Sequence, residues 1–453
     1  MAESTNTIQK EIQDREAKEK RELRRKRRRR NQILAILTLL LFVCLIVAII
    51  GTGVWYIMHR GAGKTAGGGA ATTEETTIDN LFESEDEIVK PEETNTEPAL
   101  TPEQQLDAIL DEAFISQMPL EDKVAGLFIV TPESITGVNK AVKAGDGTKD
   151  ALNKYAVGGI VYASQNMQDA AQFTEMVSNT TLYSRYALFT CVAEEGGSST
   201  SLEKAGLADK TDSEQAMGTG ADAAKAYEAS GKIADSMLTY GLNLNFAPVA
   251  DLATVQDSYL KDASYGSDAA LAASFVTSAV QGMQEKGISS CLKYFPGAAD
   301  MKEDPAKGMA SSERTAEQLA AEEFTVFKAG IDAGADMVMV GHVAVPALTG
   351  DNTPCSLSSA VITDKLRNEL GFNGVIITDA MNKGAITEYY EADEAAILAL
   401  KAGCDMILCP DDFEKAYNGV LEAVQNGTIS EERINDSLRR IYRIKYAGMM
   451  PEA

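Results

Sequence analysis

Asp336-Met337-Val338-Met339-Val340-Gly341-His342 and Gly374-Val375-Ile376-Ile377-Thr378-Asp379 are the two stretches whose reading decides the fold. Each is a short apolar run that ends on a side chain able to do chemistry. A strand with one wet face would alternate polar and apolar residues. Continuous apolar runs instead predict strands covered on both faces, as in a parallel sheet. Working outward, runs of the same kind occur at Leu127–Val130, Gly159–Ala163, Ala187–Val192, Leu242–Pro248, Ser290–Phe295 and Met406–Pro410. Helical patterns such as Asp222–Leu238, Ala269–Glu285 and Ala316–Ala333 separate them, as parallel crossovers require. Eight strand–helix units predict an α/β fold over residues 104–453, a (β/α)8 TIM-type barrel rather than a doubly wound sheet.

The net charge of −25 is unevenly spread, because residues 1–30 hold 12 Lys/Arg against 6 Asp/Glu. The rest of the chain is therefore strongly acidic and lacks the basic surface that neutralises phosphates, so no nucleic acid partner is expected. From Asn31 to Met58 no residue is charged, and ~20 apolar residues suffice for a helix to span a bilayer. The basic run Arg24–Arg30 lies just before this segment. By the positive-inside rule, residues 1–32 are expected to be a basic cytoplasmic tail and 33–58 a transmembrane helix. The chain is then a single-pass protein of the cell membrane with its barrel extracytoplasmic. Gly51 and Gly53 also permit a cleaved signal peptide, but the apolar segment is longer than such signals use, so an uncleaved signal-anchor is predicted. Residues 59–103, rich in Gly, Ala, Thr and Glu, read as a flexible stalk. Thr101-Pro102-Glu103 then opens a helix. Cys191, Cys291, Cys355, Cys404 and Cys409 form no CxxC pair and are expected to be free, buried thiols.

The C-terminal ends of the predicted strands offer Asn166, Glu194/Glu195, Asp251, Lys293, His342, Asp379 and Asp411/Asp412. Polar residues end strands for ordinary capping reasons too. Their concentration on the face where barrel enzymes build sites nevertheless points to a site. No His-Glu-x-x-His or comparable ligand cluster occurs, so neither a metal nor another cofactor is expected.

Longer segments carry a resemblance. They are Ala335 to Val343, Ser356-Leu357-Ser358, Leu366-Arg367-Asn368-Glu369-Leu370-Gly371-Phe372 and Gly374 to Met381. Asn243-Leu244-Asn245-Phe246-Ala247-Pro248-Val249-Ala250-Asp251, Glu194-Glu195-Gly196-Gly197 and Lys293-Tyr294-Phe295-Pro296-Gly297 complete the set. Taken in chain order, these segments resemble the family 3 glycoside hydrolases over residues of about 105–450, especially their single-domain β-N-acetylglucosaminidase (β-N-acetylhexosaminidase) branch. The resemblance implies retaining hydrolysis of terminal β-linked sugars, with a glycan or cell-wall fragment as partner. It makes Asp379 the nucleophile and Lys293, His342, Glu195 and Asp251 substrate-binding residues. It also places an Asp–His acid/base dyad on the loop after the fifth strand.

Several positions depart from that pattern. The dyad's Asp falls on Asp304 but its His on Ala306; Tyr294 and Ala298 stand where the family has His. Ala193 stands where it has an Asp, and Ser198 and Ala263 where it has Arg. The chain has two histidines, and His59 is juxtamembrane, leaving only His342 for the barrel. Loss of general-acid assistance typically costs ~10²–10⁴-fold in rate. Impaired hydrolysis is therefore expected, with Asp304 as residual dyad Asp or substitute acid beside Asp300 and Glu303. The alternative is a catalytically degenerate saccharide-binding or protein-interaction module at the cell surface.

Overall fold

A computed structural model describes residues 102–447 apart from Ala299. The predicted tail and span, and the stalk up to Thr101, lie outside the described residues. Among the described residues no helix is long and apolar enough to cross a membrane. All eight predicted strands are present: β1 Phe128–Val130, β2 Gly159–Val161, β3 Phe189–Val192, β4 Leu244–Asn245, β5 Ser289–Phe295, β6 Met337–Val340, β7 Val375–Ala380 and β8 Met406–Leu408. They form a closed barrel in sequence order. Parallel pairing of β1 with β8, Phe128 opposite Ile407 and Ile129 opposite Leu408, completes the ring. The strands are almost wholly buried, as expected of a sheet filled inside and covered by helices outside.

Two elements differ from expectation for local reasons. Strand β4 is only two residues long, and its pairing to β5 resumes as an isolated bridge between Val249 and Lys293. Side chains supply what the backbone lacks. Asn243 accepts from Thr190 N at 2.9 Å and donates to Leu188 O at 3.0 Å. Asn245 accepts from Glu194 N and donates to Glu194 O, both at 2.9 Å. The Asn-Leu-Asn stretch thus staples β4 to β3. The predicted helix 316–333 is broken into Ala316–Ala321 and Glu323–Asp332. At the break Arg314 gathers both Glu322 and the fully buried Glu323, at 2.5 and 2.7 Å, a tertiary contact with no trace in helical periodicity.

Strands β5 and β7 also depart from regular pairing. The register of β5 against β6 shifts between Leu292 and Phe295, and that of β7 against β8 shifts between Ile377 and Ala380. Irregularities of this kind re-aim side chains at strand ends, and these two flank Lys293 and Asp379. Cys191, Cys291, Cys355 and Cys404 are buried free thiols, and Cys409 is a half-buried one.

Candidate active site

At the C-terminal end of the barrel a cleft of about 280 Å³ is lined by Glu195, Tyr259, Tyr294, Asp304, His342, Asp379 and Lys383, with Ala263, Ala298 and Ala306 among its apolar walls. This lies at the small end of ligand pockets, ~300–1,000 Å³, and suits one ring rather than an oligomer. Asp379 stands at the tip of β7. Its Oδ1 accepts from Ala380 N at 2.7 Å and its Oδ2 from Lys383 Nζ at 2.6 Å. Burial alone would raise its pKa, but the Lys383 ammonium, His342 and the Ala380 amide together hold it below the ordinary carboxylate range. Asp379 is therefore an anion at neutral pH.

His342 is buried behind it. Nε2 lies 3.0 Å from the Ala380 carbonyl oxygen, which can only accept, so Nε2 carries the proton. Nδ1 then accepts from Ser356 Oγ at 2.7 Å. Burial lowers the pKa of this imidazole, and its single N–H is spent on the backbone. His342 is thus placed to fix the turn that carries Asp379.

The Glu194-Glu195-Gly196-Gly197 motif sets two neighbouring acids to different tasks. Gly196 and Gly197 have φ of +87° and +58°, a region that side chains disfavour. A Cβ on Gly196 would come 2.3 Å from Asp212 O. The tight turn sends Glu195 into the cleft, where it receives the Lys293 ammonium from β5. Burial opposes that ammonium, yet Glu195 prevails and raises the Lys293 pKa above its usual value. Glu194 turns away and accepts from Ser201 N and Leu202 N, both at 2.6 Å. Burial lifts its pKa to about 7.

Of the residues predicted from sequence, Asp379, His342, Glu195 and Asp304 meet at the cleft, and Lys293 reaches it through Glu195. Asp251 sits beneath, with both carboxylate oxygens accepting from Ala298 N at 2.9 and 3.0 Å. Asp304 accepts from Ala306 N at 2.9 Å and caps the short turn Pro305–Lys307. Asp300 is engaged by Ser312 Oγ and Glu313 N at 2.6 and 3.1 Å, and so ties the β5 loop to itself. Two cleft groups, Lys383 and Tyr259, and one acid behind the cleft, Glu214, escaped sequence reasoning. Lys383, four residues beyond Asp379, reads there as an ordinary helix-start lysine. Tyr259 lies in a loop with no strand or helix signal, and burial pushes its phenol well up. Glu214 reads as an N-terminal helix acid beside its Ser213 cap. It is instead buried beside the Glu195–Lys293 pair and accepts from Val249 N. Burial, with Glu195 adding to it, pushes its pKa well up.

Comparison with known proteins agrees with the barrel fold. The beta-hexosaminidase of Stenotrophomonas maltophilia (strain R551-3) is 30% identical over 284 residues, covering 60% of this chain and 82% of that protein. The beta-hexosaminidase of Xanthomonas campestris pv. campestris (strain B100) is 32% identical over 270 residues, covering 57% and 79%. Among solved structures, a glycoside hydrolase family 3 beta-N-acetylglucosaminidase from Paenibacillus sp. str. FPU-7 superposes with a TM-score of 0.69 at 32% identity, over 74% of this chain. The chain spans 64% of the length of that protein. Residues 119–444 match the glycosyl hydrolase family 3 N terminal domain, and the chain belongs to that family.

Proposed function

We propose that this chain is a membrane-anchored, extracytoplasmic β-N-acetylhexosaminidase-type protein whose cleft takes the terminal residue of a β-linked glycan, such as a cell-wall fragment, and whose catalysis is impaired. Asp379 is its nucleophile, and Lys293, His342, Glu195 and Asp251 form or brace the sugar pocket. The observation that carries this reading is an ionised Asp379 lining the same cleft as an alanine at 306. Retaining hydrolysis needs a carboxylate on one side of the anomeric carbon and a proton donor on the leaving oxygen. In this reading Asp379 supplies the first; at Ala306, where the resemblance puts the donor's imidazole, there is only a methyl. Asp304 is the nearest candidate for a substitute acid, since it lines the same cleft. The proposed organisation is a cytoplasmic tail 1–32, a membrane span 33–58, a stalk 59–103 and the barrel from 104 onward.

The test is turnover of aryl β-N-acetylglucosaminide by the wild type and by Asp379→Asn. Slow turnover that vanishes in the variant supports a weakened glycosidase. Saccharide binding without turnover supports the alternative, a degenerate module that binds glycan or a protein partner; the alanines at 263, 298 and 306 in the cleft wall favour it. Absence of both turnover and saccharide binding overturns the glycan reading. For topology, protease added to intact spheroplasts should digest the barrel, and protection would place it on the other side.

A further inference from the structure

The contact between Asp379 and Lys383 has a consequence for the nucleophile itself. Asp379 Oδ2 holds Lys383 Nζ at 2.6 Å while Oδ1 accepts the Ala380 amide at 2.7 Å. Both oxygens thus accept a hydrogen bond, and whichever one attacks an anomeric carbon must share or give up its partner. The lysine is held where it is. Its side chain is only 26% exposed, and its ammonium lies 5.4 Å from the Tyr294 ring centroid, a favourable cation–π distance. The following residue, Gly384, packs under the β5 loop so closely that a Cβ there would lie 2.7 Å from Gly308 N. The loop that carries Asp304 and Ala306 therefore rests on the turn that starts at Lys383.

We propose that Lys383 masks Asp379, its ammonium occupying the carboxylate oxygen that would otherwise attack the sugar. The inference rests on Asp379 being the nucleophile. An ion pair in this largely buried position stabilises the carboxylate in its ground state, and a less basic anion is a weaker nucleophile. Two separate contributions are then weakened: proton donation, by Ala306, and attack, slowed by Lys383. They can be separated, because a leaving group that is stable as an anion needs no acid.

The probe is 2,4-dinitrophenyl 2-deoxy-2-fluoro-β-glucoside, applied to the full chain in detergent. An Asp379 oxygen attacks C1 and forms an ester bond; the bond from C1 to the phenolic oxygen breaks, and its electron pair leaves on dinitrophenolate. Labelling is read by intact mass and peptide mapping for the wild type, Lys383→Met and Lys383→Arg, with Lys383→Gln in reserve should the Met variant fail a thermal-unfolding check. We expect Lys383→Met to label Asp379 at least about tenfold faster than wild type, a change of ~1.4 kcal/mol in barrier, and Lys383→Arg to stay slow. Equal or slower labelling of the uncharged variant overturns masking, and if the wild type labels at Asp379 the nucleophile reading stands. If no form labels although N-acetylglucosamine binds by calorimetry, masking is overturned as well. If no form labels and none binds, masking falls together with the glycan reading.

Discussion

At the N-terminal end of the barrel Asp405 is fully buried, and at the C-terminal end Asp379 is nearly so, yet the two carboxylates are served very differently. Asp405 receives Arg367 at 2.7 Å, Ser437 Oγ at 2.8 Å, Ile376 N at 3.0 Å and Arg440 at 3.1 Å. Arg367 in turn donates to Phe372 O and Gly374 O at 2.6 and 2.8 Å, and so pins the entry of β7. Asp379, at the other end of the same strand, has one lysine and one amide. A buried charge with every lone pair taken is scaffold, and removing one member strands the rest. Around Asp379 the cleft wall is alanine at 263, 298 and 306, and no comparable network of charges ties it to the scaffold.

That contrast can be broken or sharpened. The largest effect is expected from Ala306→His, which would set an imidazole beside Asp304. It should raise kcat/KM on an alkyl or aryl β-N-acetylglucosaminide by ~10²–10⁴-fold, and a gain below tenfold would mean that the acid position is not the chief deficit. Next, Asp405→Asn should cost about 3–5 kcal/mol in denaturant unfolding, because it removes one partner of a buried charge cluster. Saccharide binding per folded molecule should be unchanged; loss of binding would show the two ends to be coupled. The smallest effect concerns Glu194, whose pKa burial raises from 4.5 to about 7. A carboxyl with a raised folded-state pKa contributes stability below its unfolded pKa and loses it as pH rises through the folded value. Wild type should therefore lose on the order of 2 kcal/mol between about pH 4.5 and pH 7–8. Glu194→Gln keeps an acceptor for Ser201 N and Leu202 N and should lack that slope; identical pH profiles for the two proteins would rule Glu194 out as its source.

The barrel was legible because β6 and β7 are continuously apolar and end in His342 and Asp379, a pattern set by burial on both faces. The break at Glu322 was not, since it depends on Arg314 arriving from another segment. The cleft was legible in part for the same reason. Asp379, His342 and Glu195 sit at strand tips, where topology alone delivers them to one face. Asp251 follows β4 at the same end of the barrel, yet it spends both oxygens on the Ala298 amide, a duty that sequence position cannot distinguish from sugar binding. Lys383 lies within a helix-like stretch, where an i,i+4 acid–base pair ordinarily means a solvated surface contact. Only the depth of the cleft turns it inward.

The seam between β1 and β8 bears on how the chain is made. β1 is synthesised first and finds its second neighbour only when Met406–Leu408 emerges. Until then one side of Phe128–Val130 is an open edge, the kind of surface that recruits stray strands from other chains. A barrel closed by its two ends rewards the whole sequence at once, and a product that stops short of β8 leaves β1 with the same unpaired edge.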